Sequence, residues 1–347
     1  MIRVLIVDDS KVVQEFISYI LSSDPEIRIA GTALSGEEAL QKVVELNPDV
    51  ITMDINMPGI GGAETTRRIM ESRATPIVVV TGSEMVSDRS WIFSLLEAGA
   101  LAVVKRPPDL HHPQHKEMRK ELLQTVKLMS EVKVVRVVRK KSFEESQIPT
   151  ARLQPETKNR NLKIFAVGAS TGGPATLQKI LSGLPKNLPV PVVIVQHITK
   201  EFITGLQEWL SGTSSIPVKI ATDGESLQKG VAYFAPDNFH LGVTRDLKVF
   251  LDSGPPINGL RPAIDFLFRS VADNIGVNAA GVLLTGMGKD GAEALKKMKD
   301  SGATTIAQDE ESSIVFGMPG EAIKLGAVNY VLTPPEIAVM MGKLAGT

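Results

Sequence analysis

Apolar runs of three to seven residues recur along this chain, most of them followed by a stretch of helical length. No other feature of the sequence constrains the fold as strongly. In the first part the runs fall at 4–7, 28–32, 50–53, 77–80 and 102–104. Helix-like segments cover 11–21, 36–46, 63–72, 91–98 and 116–129. Short buried runs alternating with helices predict a doubly wound parallel sheet, since a helical crossover returns each strand parallel to the last. The pattern stops at about 130 and resumes at 162, with runs at 164–167, 192–195, 279–285 and 304–307. Helical segments there cover 174–184, 201–211, 262–274 and 290–301, and 218–251 reads as an inserted hairpin region. Two α/β domains are expected, 1–129 and 162–347, joined by a connector over 130–161. The connector is a basic helix extension (Lys133, Arg136, Arg139, Lys140, Lys141) followed by a polar tether with Pro149 and Pro155.

A length of 347 residues suits two such domains. Lys and Arg number 38 against 39 Asp and Glu, a formal charge of −1. With no helix-turn-helix pattern or basic face, that balance argues against a nucleic-acid partner. The absence of cysteine excludes thiol nucleophiles, cysteine zinc sites and disulfides. The amino terminus turns acidic at Asp8, too soon for a signal peptide, and no apolar run approaches the roughly 20 residues of a membrane span. A cytoplasmic, monomeric protein without membrane insertion is the expectation.

In open α/β sheets function gathers at the carboxyl ends of the strands. The first domain places Asp8 and Asp9 after its first strand, Asp54 after the third, Thr81 after the fourth and Lys105 after the fifth. Carboxylates converging on one point repel unless a hard cation such as Mg²⁺ neutralises them, and a hydroxyl and an ammonium beside them suit a phosphoryl group.

The second domain carries Gly168-Ala169-Ser170-Thr171-Gly172-Gly173-Pro174 between a strand and a helix. The spacing fits G-x-S-x-G, in which a tight turn exposes a serine beside free helix N–H groups. A dinucleotide fingerprint would need glycine at position 170, so that reading loses. His197 ends the second strand, and Thr285-Gly286-Met287-Gly288-Lys289-Asp290-Gly291 follows a later one. Serine needs an imidazole to take its proton, and the imidazole needs a carboxylate to fix its tautomer. Ser170, His197 and Asp290 supply those groups. Asp265 is a rival acid better suited to packing or capping. His240 is read as structural, and His111, His112 and His115 as part of a solvated loop.

Residues 1–125 resemble the receiver domain of bacterial response regulators, with its flavodoxin-like fold. The resemblance implies Asp54 as phospho-acceptor, Mg²⁺ held by Asp8, Asp9, Asp54 and the carbonyl of Asn56, and Thr81 and Lys105 as readers of the acyl phosphate. Lys105 is followed by Arg106-Pro107 where the family has proline directly, Ala102 replaces an aromatic switch residue, and Gly61-Gly62 replaces Asp-Gly. Residues 162–347, a Rossmann-like domain, resemble the catalytic domain of the CheB family of chemotaxis protein-glutamate methylesterases. The stretches that carry this are 168–174, Gln196-His197, Ala235-Pro236 with His240-Leu241, Arg261-Pro262, 285–291 and 307–319. Ile198-Thr199 stands where Met-Pro is common.

The resemblance implies Ser170 as nucleophile, His197 as base and Asp290 as its orienter. Met287 becomes an oxyanion donor by resemblance and Thr171 by its place after the nucleophile. It also implies methyl-accepting chemoreceptors as substrate, glutamine deamidation as a second reaction, a histidine kinase of the CheA type as phosphodonor, and no cofactor for the ester hydrolysis. An unphosphorylated receiver is expected to occlude Ser170. A scaffold with a dead esterase fold is the rival reading, against which the complete trio stands.

Overall fold

The computed structural model describes residues 1–82, 95–132, 134, 161–199 and 201–347, and the chain divides into two compact units, Met1–Phe143 and Glu144–Thr347. The connector's basic stripe and polar tether, and the first half of the helix expected at 91–98, lie outside the described residues, whereas 95–97 are helical.

The first unit holds β1 (Ile2–Val7), α1 (Lys11–Leu21), β2 (Ile27–Ala33), α2 (Gly36–Leu46), β3 (Val50–Met53), α3 (Gly61–Ser72), β4 (Ile77–Thr81), β5 (Ala102–Lys105) and α4 (His115–Ser130). Its five strands run parallel in the order β2-β1-β3-β4-β5. The strands are apolar without alternation because helices cover both faces: every residue of β3 and β4 is buried. Local chemistry sets where helices begin. The Ser10 side chain accepts from the N–H of Val13 at the start of α1, and Ser35 from that of Glu38 at the start of α2. The order reverses between β1 and β3, which opens a crevice at their carboxyl ends.

The second unit holds β6 (Ile164–Ala169), α5 (Gly173–Gly183), β7 (Val192–Gln196), α6 (Ile203–Thr213), β8 (Val218–Ile220), β9 (Ala232–Phe234), β10 (His240–Val243), β11 (Val249–Asp252), α7 (Ile264–Asn274), β12 (Ala279–Leu283), α8 (Ala292–Asp300), β13 (Thr304–Gln308), α9 (Met318–Lys324), β14 (Tyr330–Leu332) and α10 (Pro334–Ala345). Seven strands form a parallel sheet in the order β14-β13-β12-β6-β7-β9-β8, a Rossmann-like arrangement that reverses between β6 and β12. Phe165, Tyr233, Phe234 and Phe268 are among its largest fully buried side chains.

Two expectations are corrected here. The region 218–251 is only partly a hairpin: β8 and β9 join the main sheet in parallel, while β10 and β11 pair antiparallel, with one further antiparallel bridge between Ser226 and Lys248. β14 was not foreseen, being three residues long with Val331 exposed. No helix among the described residues is long and apolar enough to cross a membrane.

Candidate active site and phosphoryl site

The register of β6 against β7 pairs Gly168 with Val195 and Ala169 with Gln196, so Ser170 and His197 are the next residues on neighbouring strands. The N–H of His197 donates to the carbonyl of Ala169 over 2.9 Å, extending the ladder to the base. Adjacent parallel strands lie about 4.8 Å apart, which brings the two side chains into one region. Gln196 fastens the pair: its Nε2 donates to the carbonyl of Ser170 at 2.9 Å and to that of His197 at 2.7 Å. Gly173 opens α5 against this amide. A Cβ at that position would lie 2.0 Å from Gln196 Oε1, so no larger residue fits.

The loop after β12 closes in from the other side of β6. Ser170 donates its N–H to the carbonyl of Thr285 at 3.0 Å, and Thr285 Oγ1 donates to the carbonyl of Thr171 at 2.9 Å. Thr285 is in turn anchored by its N–H donating to Gln308 Oε1 at 2.8 Å. Met287, on this loop, is exposed. Among the described residues, no hydrogen bond engages the N–H of Thr171 or of Met287.

Asp290 is 3 % exposed, and its Oδ2 lies 3.0 Å from His197 Nε2. The ring N–H is not aligned for a full hydrogen bond at that distance. Asp290 is held by α7, whose first N–H groups donate to it: Ile264 to Oδ2 at 2.7 Å and Asp265 to Oδ1 at 3.1 Å. Asp265 returns the arrangement. Its Oδ1 accepts from the N–H of Gly291 at 3.1 Å and of Ala294 at 3.3 Å, at the start of α8. Each acid thus caps the helix that begins beside the other. Burial, then the neighbouring Asp290 charge, pushes the Asp265 carboxyl above the usual carboxylate range.

His240 is structural: its Nδ1 accepts from the N–H of Ala263 at 3.1 Å, and its ring stacks on Phe266 at 4.9 Å between centroids. His111 and His112 are exposed, but His115 is not part of a solvated loop. It is buried in the first turn of α4 with Nδ1 2.8 Å from the carbonyl of Pro108.

In the first unit Asp8 and Asp54 follow paired residues of β1 and β3, Val7 and Met53. Oxygens of Asp8, Asp9 and Asp54 lie within 4.8 Å of one another. Burial raises Asp8 to about 6, against the N–H of Ser10 donating to it at 2.9 Å; the charges of Asp54 and Asp9 push the same way as burial. Asp54 is raised as well, first by burial and then by Asp9, while the N–H groups of Ile55 and Asn56 lower it. Three hard oxygen donors in mutual repulsion fit a divalent cation such as Mg²⁺. Thr81 is buried at the end of β4, in register with Lys105 at the end of β5. The charge of Arg106, one residue further, lowers both Asp8 and Asp54.

Two parallel α/β domains, one with an acidic cluster at its switch point and the other with serine, histidine and aspartate on converging loops, define a response regulator with a hydrolase output. Residues 4–112 match the response regulator receiver domain family and residues 165–341 the CheB methylesterase family. The chain is 50 % identical to a protein-glutamate methylesterase/protein-glutamine glutaminase of Syntrophus aciditrophicus, across 100 % of this chain and 99 % of that one. It is 48 % identical to such a protein of Geobacter metallireducens, across 99 % of each. The crystal structure of the Thermotoga maritima CheB methylesterase catalytic domain is 44 % identical, covers 53 % of this chain and 98 % of its own, and superposes with a TM-score of 0.51. The chain belongs to the CheB methylesterase family and is an enzyme of that family with a receiver domain ahead of the catalytic one.

Proposed function

We propose that this chain hydrolyses γ-methyl esters of glutamate, and deamidates glutamines, on methyl-accepting chemoreceptors during chemotactic adaptation. We assign residues 1–129 to the receiver, 130–161 to the connector and 162–347 to the catalytic domain. Ser170 Oγ attacks the ester carbonyl while its proton passes to His197. With Nε2 facing Asp290, Nδ1 is the ring nitrogen that serves the hydroxyl. The N–H groups of Thr171 and Met287 receive the developing oxyanion, a contribution of about 10²–10³ in rate per donor. The tetrahedral centre collapses, the bond to methoxide breaks, and His197 returns the proton so that methanol leaves. Water then attacks the acyl-serine, giving its proton to His197 and thence to Ser170 Oγ as the glutamate carboxylate departs. Asp290 stabilises the imidazolium in both halves, and this step needs no cofactor.

In the receiver, Asp54 accepts a phosphoryl group from a histidine kinase of the CheA type, and Thr81 with a cation at the end of β5 reads it. Asp8, Asp9, Asp54 and the carbonyl of Asn56 would hold Mg²⁺, which offsets charge on the transferring phosphoryl oxygens. Phosphorylation relieves a restraint that the receiver places on ester hydrolysis.

One observation carries the reading: a buried carboxylate, tied down by two backbone donors, lies 3.0 Å from an imidazole on the strand next to the serine. Ser170→Ala is expected to abolish methanol release from methylated receptor membranes while labelling of Asp54 by a phosphodonor is kept. Substantial residual release overturns the assignment.

A further inference from the structure

The residue after β5 does more than displace a proline. In register, Asp8 and Asp54 follow Val7 and Met53, and Met53 pairs with Val79. Asp54 therefore stands level with Val80, whose partner on β5 is Val104. Along β5, alternation then puts residue 106 on the face of Val104, which Asp54 shares, and Lys105 on the other. The ladder continues that far, since the N–H of Arg106 donates to the carbonyl of Thr81 at 2.7 Å. Position 82 is glycine, and the guanidinium of Arg106 fills the space its missing side chain leaves. A Cβ at Gly82 would lie 2.8 Å from Arg106 Nη2 and 3.4 Å from Cζ. From there the Arg106 charge acts on Asp8 and Asp54 together.

We propose that the guanidinium of Arg106 is the cation that grips the phosphoryl oxygens on Asp54, ahead of the ammonium of Lys105. The inference rests on Asp54 being the phospho-acceptor. It makes this receiver's reader a planar, permanently charged fork able to hold two phosphoryl oxygens at once, where a lysine offers a point charge. It also gives the Lys105-Arg106-Pro107 sequence a reason: the cation in front of the proline keeps its place relative to the acids, and it is the preceding lysine that is additional.

The test uses the full chain and acetyl phosphate. An Asp54 oxygen bonds to phosphorus as the bond to acetate breaks, and labelled phosphoryl on the protein is counted over time. Arg106→Gln is expected to slow labelling tenfold or more, Arg106→Lys to recover part of the loss, and Lys105→Gln to lose less than threefold. Mg²⁺ titration of the unphosphorylated protein by calorimetry supplies a reading independent of phosphoryl transfer. Removing a positive charge beside the acids should tighten Mg²⁺ several-fold in Arg106→Gln, whereas a role in folding alone would weaken it. Labelling of Arg106→Gln within twofold of the parent, a larger loss in Lys105→Gln, or a joint loss of labelling and Mg²⁺ binding each overturns the proposal. Should the parent take up no label, or Asp54→Asn take up as much, the acceptor assignment itself has failed.

Discussion

Asp290 and Asp265 show how single residues are made dependable in this protein. Each carboxylate accepts from the first N–H groups of the helix that starts beside its partner. Neither can move without opening a helix terminus, so the acid facing His197 is held by two elements instead of one. At the receiver site the opposite choice is made: Asp8 is buried beside two further carboxylates at a cost to stability. An acid raised to about 6 in the folded protein binds more protons folded than unfolded between about pH 4 and 6. Its contribution is therefore favourable at low pH and is lost as pH rises through that window. At 1.36 kcal/mol per pKa unit the ceiling for Asp8 alone is about 3 kcal/mol. We expect Asp8→Asn to raise the melting temperature of the metal-free protein at pH 7 by about 5 °C and to flatten its dependence on pH. The same substitution should remove Mg²⁺ binding measured by calorimetry. An unchanged melt at pH 7 would count against a buried, repelled Asp8.

At the scale of elements, both sites lie where sheet order reverses, between β1 and β3 in one unit and between β6 and β12 in the other. There two neighbouring strands send their following helices to opposite faces, which leaves a crevice. The short β6–β7 junction depends on Gln196, whose one amide nitrogen bridges the carbonyls of Ser170 and His197. Gln196→Leu keeps the volume and removes both donors, leaving two carbonyls short of partners at about 1–3 kcal/mol. Displacing the serine by even about 1 Å costs up to about 10² in rate. Steady-state methanol release should show a kcat lowered about 10- to 100-fold with KM nearly unchanged; a fall in KM-dependent binding alone would reject this role. Most elements were legible from apolar runs and turn residues, as with β6 and its glycine-rich exit. β14 was not, because Tyr330-Val331-Leu332 is short and Val331 is exposed at a sheet edge. Parallel pairing of β8 and β9 was missed for another reason. Their connection is of loop length, and the sequence between them carries no helical crossover to announce it.

For the whole molecule, two separately cored units on one chain keep the proposed phosphoryl chemistry and the proposed ester chemistry at distinct sites. Under the proposed function, control requires that phosphorylation shift an equilibrium, and moving one from 1:99 to 99:1 takes about 5.5 kcal/mol, so graded activation is expected. A chain lacking residues 1–150 should release methanol faster than the intact unphosphorylated protein and be indifferent to acetyl phosphate. Equal or lower release would remove the restraint from the account. What the sequence determined by itself was local: the succession of strands and helices, and the chemical groups at each strand's end, since periodicity, caps and turns act over a few residues. Which strand ends become neighbours was decided by tertiary structure. Sheet order, the exchange of carboxylates between α7 and α8, and the seating of Arg106 in the space beside Gly82 arise from packing between residues distant in the chain, 24 or more positions apart in the last two cases, where no local pattern reaches.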